Sequence, residues 1–345
     1  MKQITLSGNT GKSTIILGMS LDNLKDYCRT EKSIVITDSN VNNLYGDKFS
    51  DFRTVVIEPG ESHKTLDTVN NIYKSLLQLE FDRSSFIVGI GGGVVCDIAG
   101  FAASTYLRGL SFAFAPTTLL AQVDASTGGK NGVNFYGYKN LIGAINQPEF
   151  VICDFDTLTT LPEPELRNGF AEVIKHALIG DKELFYFIEK NVEKAMSLDR
   201  DIIRRIVYDS LKVKTNIVSI DETEKGDRRK LNFGHTFGHA FEKIAGIRHG
   251  EAISIGMIME ARLSWNKGML LKGDIERIEK LLVSFGLPVM FCGNPEEIMD
   301  AIRKDKKREE ESIYTVLLDG IGESRIDKIN INTVREIAYD MCQHG

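Results

Sequence analysis

Residues 86–103 limit the possible folds of this chain more than any other stretch. Phe86-Ile87-Val88-Gly89-Ile90 is an apolar run of strand length, the composition of a strand buried on both faces of a parallel sheet. It leads directly into Gly91-Gly92-Gly93-Val94-Val95-Cys96-Asp97 and then into the helical pattern Ile98-Ala99-Gly100-Phe101-Ala102-Ala103. Strand, glycine-rich turn and helix is the geometry that lays a pyrophosphate against helix N-terminal amides. Read as G-x-G-x-x-G from Gly91, the run has Cys96 at the third glycine, and no acidic residue closes a second strand about 20 residues on. The turn is an incomplete nucleotide signal, and a purely structural turn is its alternative.

Further runs fit the same kind of sheet. Residues 33–37 are β-branched and end at Asp38-Ser39-Asn40, residues 52–57 lead into Glu58-Pro59-Gly60, and residues 110–114 deliver Pro116-Thr117-Thr118. Residues 150–153 are the last clear strand of the first half, and Leu66, Val69, Ile72, Tyr73, Leu76 and Leu77 recur at helical spacing. The chain is therefore read as α/β, with a Rossmann-like nucleotide-binding domain over residues 1–162. From Glu163 onward long amphipathic helices dominate, which predicts a mostly α-helical domain over residues 163–345 with its boundary near Leu161-Pro162. Residues 313–318 are a late β-like run, read as a small ribbon. Residues 7–14 imitate a Walker A loop but have Leu6 where its first glycine belongs, so a polar turn is the reading there.

Chemistry concentrates in residues 231–249, which hold three of the six histidines, His235, His239 and His249, with Asn232. His235 and His239 are spaced i, i+4 and share one face of a helix. Neutral imidazoles are common zinc ligands, and a catalytic zinc site needs three protein ligands and an open position. The pattern is not His-Glu-x-x-His, and ordinary hydrogen-bonded histidines are the alternative. Upstream, Glu172 and Lys175 are i, i+3 neighbours, open to reading as a surface ion pair or as site residues.

A chain of 345 residues accommodates two domains, and its net charge of −6 argues against a nucleic-acid surface without excluding a small basic pocket. No apolar run approaches the ~20 residues of a membrane helix, and Met1-Lys2-Gln3 opens no signal peptide. Cys28, Cys96, Cys153, Cys292 and Cys342 are scattered and form no C-x-x-C pair. Together these features predict a cytoplasmic protein with reduced thiols and no membrane or nucleic-acid partner.

Residues 91–101, Arg108-Gly109, residues 116–134, Lys139-Asn140, residues 169–175, residues 232–242 and His249-Gly250-Glu251 form an ordered series of motifs. In these the chain resembles the 3-dehydroquinate synthases over nearly its whole length. The resemblance implies an N-terminal nucleotide domain, an all-helical metal domain and an active site between them. It implies that Glu172, His235 and His249 hold zinc or cobalt, with His239 handling protons and not binding metal. NAD would lie along Asp38, then Pro59, Gly60, Glu61, Ser62, His63 and Lys64, then Gly93, Val94, Val95, Cys96 and Asp97. Thr117, Thr118, Lys130, Lys139, Thr157, Leu158, Thr159 and Thr160 complete that surface. An anionic sugar phosphate would be bound by Asp124, Lys130, Asn140, Lys175, Lys214, Arg228, Asn232 and Lys306 or Lys307. Arg108 would reach into a second copy's site, which implies a homodimer.

The implied reaction converts 3-deoxy-D-arabino-heptulosonate 7-phosphate to 3-dehydroquinate and phosphate. It proceeds by transient oxidation, phosphate elimination, reduction, ring opening and aldol closure. A polyol dehydrogenase, another sugar phosphate cyclase and an inactive NAD- and metal-binding protein are the rival readings. Cys96 departs from the family's usual glycine, and its Cβ disfavours positive φ, so an ordinary backbone angle is expected there.

Overall fold

The computed structural model describes residues 2–291, 293–305 and 312–343. The chain divides into two units, Met1–Pro162 and Glu163–Gly345. The first opens with an antiparallel hairpin of β1 (Lys2–Gly8) and β2 (Gly11–Leu17), in which Gly8 pairs with Gly11 across Asn9-Thr10. The polar turn read at residues 7–14 is thus the tip of this hairpin. There follow β3 (Ser33–Asp38), α1 (Ser39–Tyr45), β4 (Arg53–Ile57), α2 (Leu66–Gln78), β5 (Phe86–Gly91) and α3 (Gly93–Thr105). β6 (Ser111–Pro116), β7 (Lys130–Phe135), β8 (Tyr138–Ile145) and β9 (Phe150–Cys153) complete the unit.

One sheet runs in the order β1-β2-β9-β6-β5-β3-β4, and every neighbouring pair in it is parallel except β1 with β2. β3 and β9 are buried at every residue, which is why they read as unbroken apolar runs. From β3 the chain steps outward to β4, then returns to the other side of β3 as β5. The connections therefore diverge between β3 and β5, the switch point at which open α/β sheets receive their ligands. Asp38 ends β3 and Gly91 ends β5, so the expected nucleotide loops flank that point.

Small residues let α3 lie close to the sheet. A Cβ on Gly89 would sit 2.9 Å from Ala99 Cβ, and one on Gly100 would sit 2.0 Å from Asn131 Oδ1 on β7. β7 and β8 form a separate ribbon with Gly132 opposite Gly143, where either Cβ would strike the facing backbone. Cys96 lies inside α3 and is not among the described residues with positive φ. It is fully buried, with Sγ 3.9 Å from the Gly91 carbonyl oxygen.

The second unit contains α4 (Glu163–Gly180), α5 (Lys182–Glu189), α6 (Val192–Met196), α7 (Arg200–Ile220), α8 (His235–Ala245), α9 (His249–Asn266) and α10 (Lys272–Ser284). α11 (Pro295–Asp305), β10 (Ser312–Leu318), β11 (Ser324–Asn330) and α12 (Ile331–Gln343) follow. Among the described residues the unit is helical apart from the antiparallel β10–β11 ribbon, which takes in the β-like run at residues 313–318. This corrects the all-helical domain that the resemblance implied. Phe237, Phe241, Ile255, Met259, Met299, Leu317 and Val334 share one core. α9 is buried nearly all round, which marks a helix enclosed by others and not one lying on a surface. No helix among the described residues is long and apolar enough to cross a membrane.

α8 and α9 meet through glycines. A Cβ on Gly256 would lie 1.9 Å from the Gly234 carbonyl oxygen, and one on Gly238 would lie 2.7 Å from Ile253 Cδ1. Gly256→Ala should therefore destabilise the protein by ~1–3 kcal/mol through overpacking. Gly273→Ala in α10, whose Cβ would meet nothing within 4 Å, should leave stability unchanged or slightly raised. Urea unfolding of both variants checks the contrast, and equal midpoints would refute it.

Candidate metal centre and nucleotide-binding loops

In the second unit three helices bring one carboxylate and two imidazoles together. Glu172 stands in the middle of α4, while His235 and His249 are the first residues of α8 and α9. One ligand atom from each lies within 4.8 Å of the other two. Glu172 Oε1 is 3.3 Å from His249 Nε2 and 3.5 Å from His235 Nε2, and its Oε2 is 2.5 Å from Lys175 Nζ. The Lys175 ammonium also donates to the Leu231 carbonyl at 2.9 Å. Both Glu172 and Lys175 are buried, so the surface ion pair left open by their spacing is ruled out.

Burial opposes charge on Glu172, but Lys175, His235 and His249 outweigh it and hold the carboxyl well below its usual range. Burial, reinforced by Lys175 and the other imidazoles against the pull of Glu172, pushes His235 down to about 3. His249 is also penalised by burial, yet Glu172 and Glu242 raise it to about 9. The His235 ring is oriented by Nδ1–H donating to the Phe233 carbonyl at 3.1 Å, which leaves Nε2 as the lone-pair nitrogen. His239 lies beside the pair, its ring centroid 5.4 Å from that of His235, but the converging set leaves it out. One carboxylate and two imidazoles are the three-ligand donor set of an open zinc-type site.

Side chains that accept from backbone amides hold the start of α9. Asn168 Oδ1 accepts from the Gly250 amide next to His249, and Glu251 Oε2 accepts from the Arg248 amide at 2.9 Å. Glu242 Oε2 lies 3.7 Å behind His249 Nδ1. Asn168 and Glu242 were not singled out from sequence; a polar residue inside an apolar helical pattern was the available signal. Lys214 and Arg228 are buried, and Arg228 Nη1 donates to the Glu222 carbonyl at 2.5 Å. Asn232 donates to the Glu224 carboxylate. Lys306 and Lys307 lie outside the described residues.

In the first unit the expected cofactor residues follow the carboxyl ends of β3, β4, β5, β6 and β9, with Lys130 and Lys139 exposed on the β7–β8 ribbon. Gly92 precedes α3 as an N-cap with no side chain, so the helix's first amides are unclaimed by a capping side chain. Asp38 caps α1, accepting from the Val41 amide at 3.0 Å. Pro59 and Gly60 lead from β4 into a short 3₁₀ turn of Glu61, Ser62 and His63. Lys64 is buried and donates to Asp97 and, at 2.5 Å, to Asn140 Oδ1. Burial raises the Asp97 carboxyl, with Lys64 opposing. Asn134 bridges from the Asn140 amide, 2.9 Å, to Glu61 Oε1, 2.8 Å.

Thr117 returns its amide to the Gly91 carbonyl at 2.9 Å, and the Thr118 hydroxyl accepts from the Ala121 amide at 3.1 Å. Thr157, Leu158, Thr159 and Thr160 lie in one 3₁₀ turn after β9, where Tyr45 Oη is 2.5 Å from Thr160 Oγ1. Gln122, also not singled out, ties this turn to β6 by donating to the carbonyls of Asp154 at 2.9 Å and Pro116 at 3.2 Å. Asp124 lies in a single π turn, Ala121–Ala125, close by in sequence. Leu107, Arg108 and Gly109 have φ of 49°, 69° and 124°, a strained run that two non-glycine residues rarely adopt.

Two family models match the chain: 3-dehydroquinate synthase N-terminal over residues 54–168 and 3-dehydroquinate synthase C-terminal over residues 169–308. The 3-dehydroquinate synthase of Thermoanaerobacter pseudethanolicus is 42% identical over 325 residues, covering 91% of this chain and 90% of the relative. That of Vesicomyosocius okutanii is 39% identical and covers 99% of this chain and 100% of its own. A 2-deoxy-scyllo-inosose synthase solved with carbaglucose-6-phosphate, NAD+ and Co2+ is 26% identical with a TM-score of 0.88, covering 99% of this chain and 100% of that one. The 2-epi-5-epi-valiolone synthase of Streptomyces hygroscopicus, solved with NAD+ and Zn2+, is 25% identical with a TM-score of 0.88, covering 100% of this chain and 99% of that one. A probable glycerol dehydrogenase of Sinorhizobium meliloti, at 14% identity, TM-score 0.71 and 96% coverage of both chains, shares the fold.

An imidazole binds metal only when neutral, and His249 in the metal-free protein stands at about 9. Uptake of Zn2+ at pH 7 should therefore release close to one proton per ion, with affinity rising about tenfold per pH unit toward pH ~9. Calorimetry in buffers of different ionisation enthalpy measures this, and pH-independent binding would contradict it. The same elevation stabilises the metal-free fold fully below the unfolded value of 6.5, and that stability is lost as pH rises through about 9.

Proposed function

The chain belongs to the 3-dehydroquinate synthase family, and from that premise we propose that it converts 3-deoxy-D-arabino-heptulosonate 7-phosphate to 3-dehydroquinate and inorganic phosphate, a step toward aromatic amino acids. The observation that carries this reading is the convergence of His235 and His249 on the buried Glu172 carboxylate. When bound, zinc or cobalt would polarise substrate hydroxyls as a Lewis acid and NAD would take up and return one hydride.

The chain's own residues do the rest. Lys175 keeps Glu172 ionised, and His235 presents a neutral Nε2. The acidic chain meets a phosphate and a carboxylate with local cations, which we assign in the second unit to Lys175, Lys214, Arg228 and a lysine at 306 or 307, with Asn232 as a hydrogen-bonding partner. In the first unit we assign Asp124, Lys130 and Asn140 to the substrate. The loops at Asp38, residues 59–64, residues 93–97, Thr117, Thr118, Lys130, Lys139 and residues 157–160 are assigned to NAD. The phosphate group's own oxygen serves as the base for its elimination, and His239 relays protons. Arg108, held in a strained run, is assigned to the site of a second copy in a cytoplasmic homodimer.

The full chain supplied with NAD and Zn2+ or Co2+ should release phosphate and dehydroquinate in step from the heptulosonate phosphate, without accumulating NADH. Stoichiometric free NADH without phosphate would place the activity with the polyol dehydrogenases instead. His235→Ala and His249→Ala should lose bound metal and turnover together while keeping the fold, and full metal occupancy in either would sink the ligand assignment. Arg108→Ala should be inactive, and mixing it with Lys130→Ala should restore activity through mixed dimers. Absence of complementation in confirmed mixed dimers would place Arg108 in its own chain's site.

A further inference from the structure

The second unit buries a carboxylate that the ligand set does not use. Glu260 stands on α9 in the apolar run Met257-Ile258-Met259-Glu260-Ala261 and is 0% exposed. Its Oε2 accepts from the Gly234 amide at 2.5 Å, and its Oε1 accepts from the Thr315 hydroxyl at 2.6 Å. The Gly234 N–H belongs to the same peptide unit as the Phe233 carbonyl, which accepts from His235 Nδ1 at 3.1 Å. The bond is trans, so its N–H and C=O point in opposite directions, with Glu260 at one end and His235 at the other.

Hydrogen bonds in series polarise one another, most strongly where water is excluded. An anionic acceptor on the N–H makes the carbonyl oxygen at the far end more negative. That oxygen then grips the imidazole N–H more firmly and makes the opposite nitrogen a stronger ligand. Metal-bound imidazoles commonly have a carboxylate on their second nitrogen. His249 has one within ion-pair range, with Glu242 Oε2 at 3.7 Å from Nδ1. We propose that Glu260 is the corresponding carboxylate for His235, a positioning residue that acts through the Phe233–Gly234 peptide to fix the ring and strengthen Nε2 as a metal ligand. This rests on the metal assignment above. Gly234 takes φ of +80°, which favours glycine there, and its own carbonyl, in the next peptide, lies where a Gly256 Cβ would be, so the backbone on the far side of the relay is fixed separately.

Glu260→Gln in the full chain keeps an acceptor for the Gly234 amide but removes the charge. It should bind Zn2+ and Co2+ about 10- to 100-fold more weakly, with a shifted Co2+ absorption band and near-unchanged thermal stability. Thr315→Val removes the other hydrogen bond but keeps the carboxylate on Gly234, and should leave the metal constants unchanged. Unchanged affinity and spectrum in Glu260→Gln would overturn the proposal, as would equal weakening in Thr315→Val. Should Glu260→Gln fail to fold, the wild-type Gly234 amide proton decides. A strongly downfield, slowly exchanging resonance supports the relay, and an ordinary, freely exchanging one overturns it. Equal metal binding by wild type and His235→Ala would instead sink the metal assignment itself, which keeps the two failures distinct.

Discussion

A carboxylate with no exposed surface must be compensated where it sits, and Glu172 sets that condition for the second unit. Lys175 meets it within the same helix, one turn on. The two imidazoles meet it from separate helices, and both arrive as the first residue of their helix. Helix N-termini carry partial positive charge, so α8 and α9 add favourable fields as well as side chains. The same fields disfavour a proton on His235, where burial already opposes one. His249 keeps its proton because Glu242 and Glu172 sit on either side of its ring. Two chemically equal imidazoles are thereby made unequal by their surroundings alone.

The first unit depends on a different constraint, the approach of α3 to its sheet. Gly89 and Gly100 are the points where a Cβ would strike the side chains of Ala99, Phe114 and Asn131, and the paired glycines of the β7–β8 ribbon let the ribbon close on itself. With α3 held in this way, its amino end stands just past Gly91 at the switch point between β3 and β5. Lys64 gathers the loop after β4, the start of α3 and the ribbon through Asp97 and Asn140. A single buried ammonium thus ties together a loop, a helix and a strand that are far apart in sequence.

Much of this was legible from the chain. Buried parallel strands such as β5 and β9 announce themselves because both of their faces are apolar. The β7–β8 ribbon did not, because β8 is largely exposed and its fit depends on two glycines meeting across the pair. The i, i+3 spacing of Glu172 and Lys175 is the same on a surface as in a core, so their burial could not be read from it. The regular spacing of His235 and His239 suggested a pair, yet the space is shared by His235 and His249, which belong to different helices. Asn168 and Glu260 act on amides 82 and 26 residues away, beyond the reach of any local pattern.

Those two contacts have a common form. The side chains of Asn168 and Glu260 each take hold of a glycine amide adjoining a histidine, Gly250 in one case and Gly234 in the other. A main-chain N–H is present whatever the residue, and only proline removes it. The glycines that carry these amides are themselves constrained, because a Cβ on Gly250 would lie 2.6 Å from the Asn168 carbonyl oxygen and one on Gly234, at φ of +80°, would lie 2.7 Å from Met257 Cγ. The vulnerability therefore falls on both sides of each contact, on one asparagine and one glutamate as acceptors and on two glycines as donors. The seam between α8 and α9 should accordingly drift slowly over generations, while the solvent-facing sides of α10 and α7 remain free to vary.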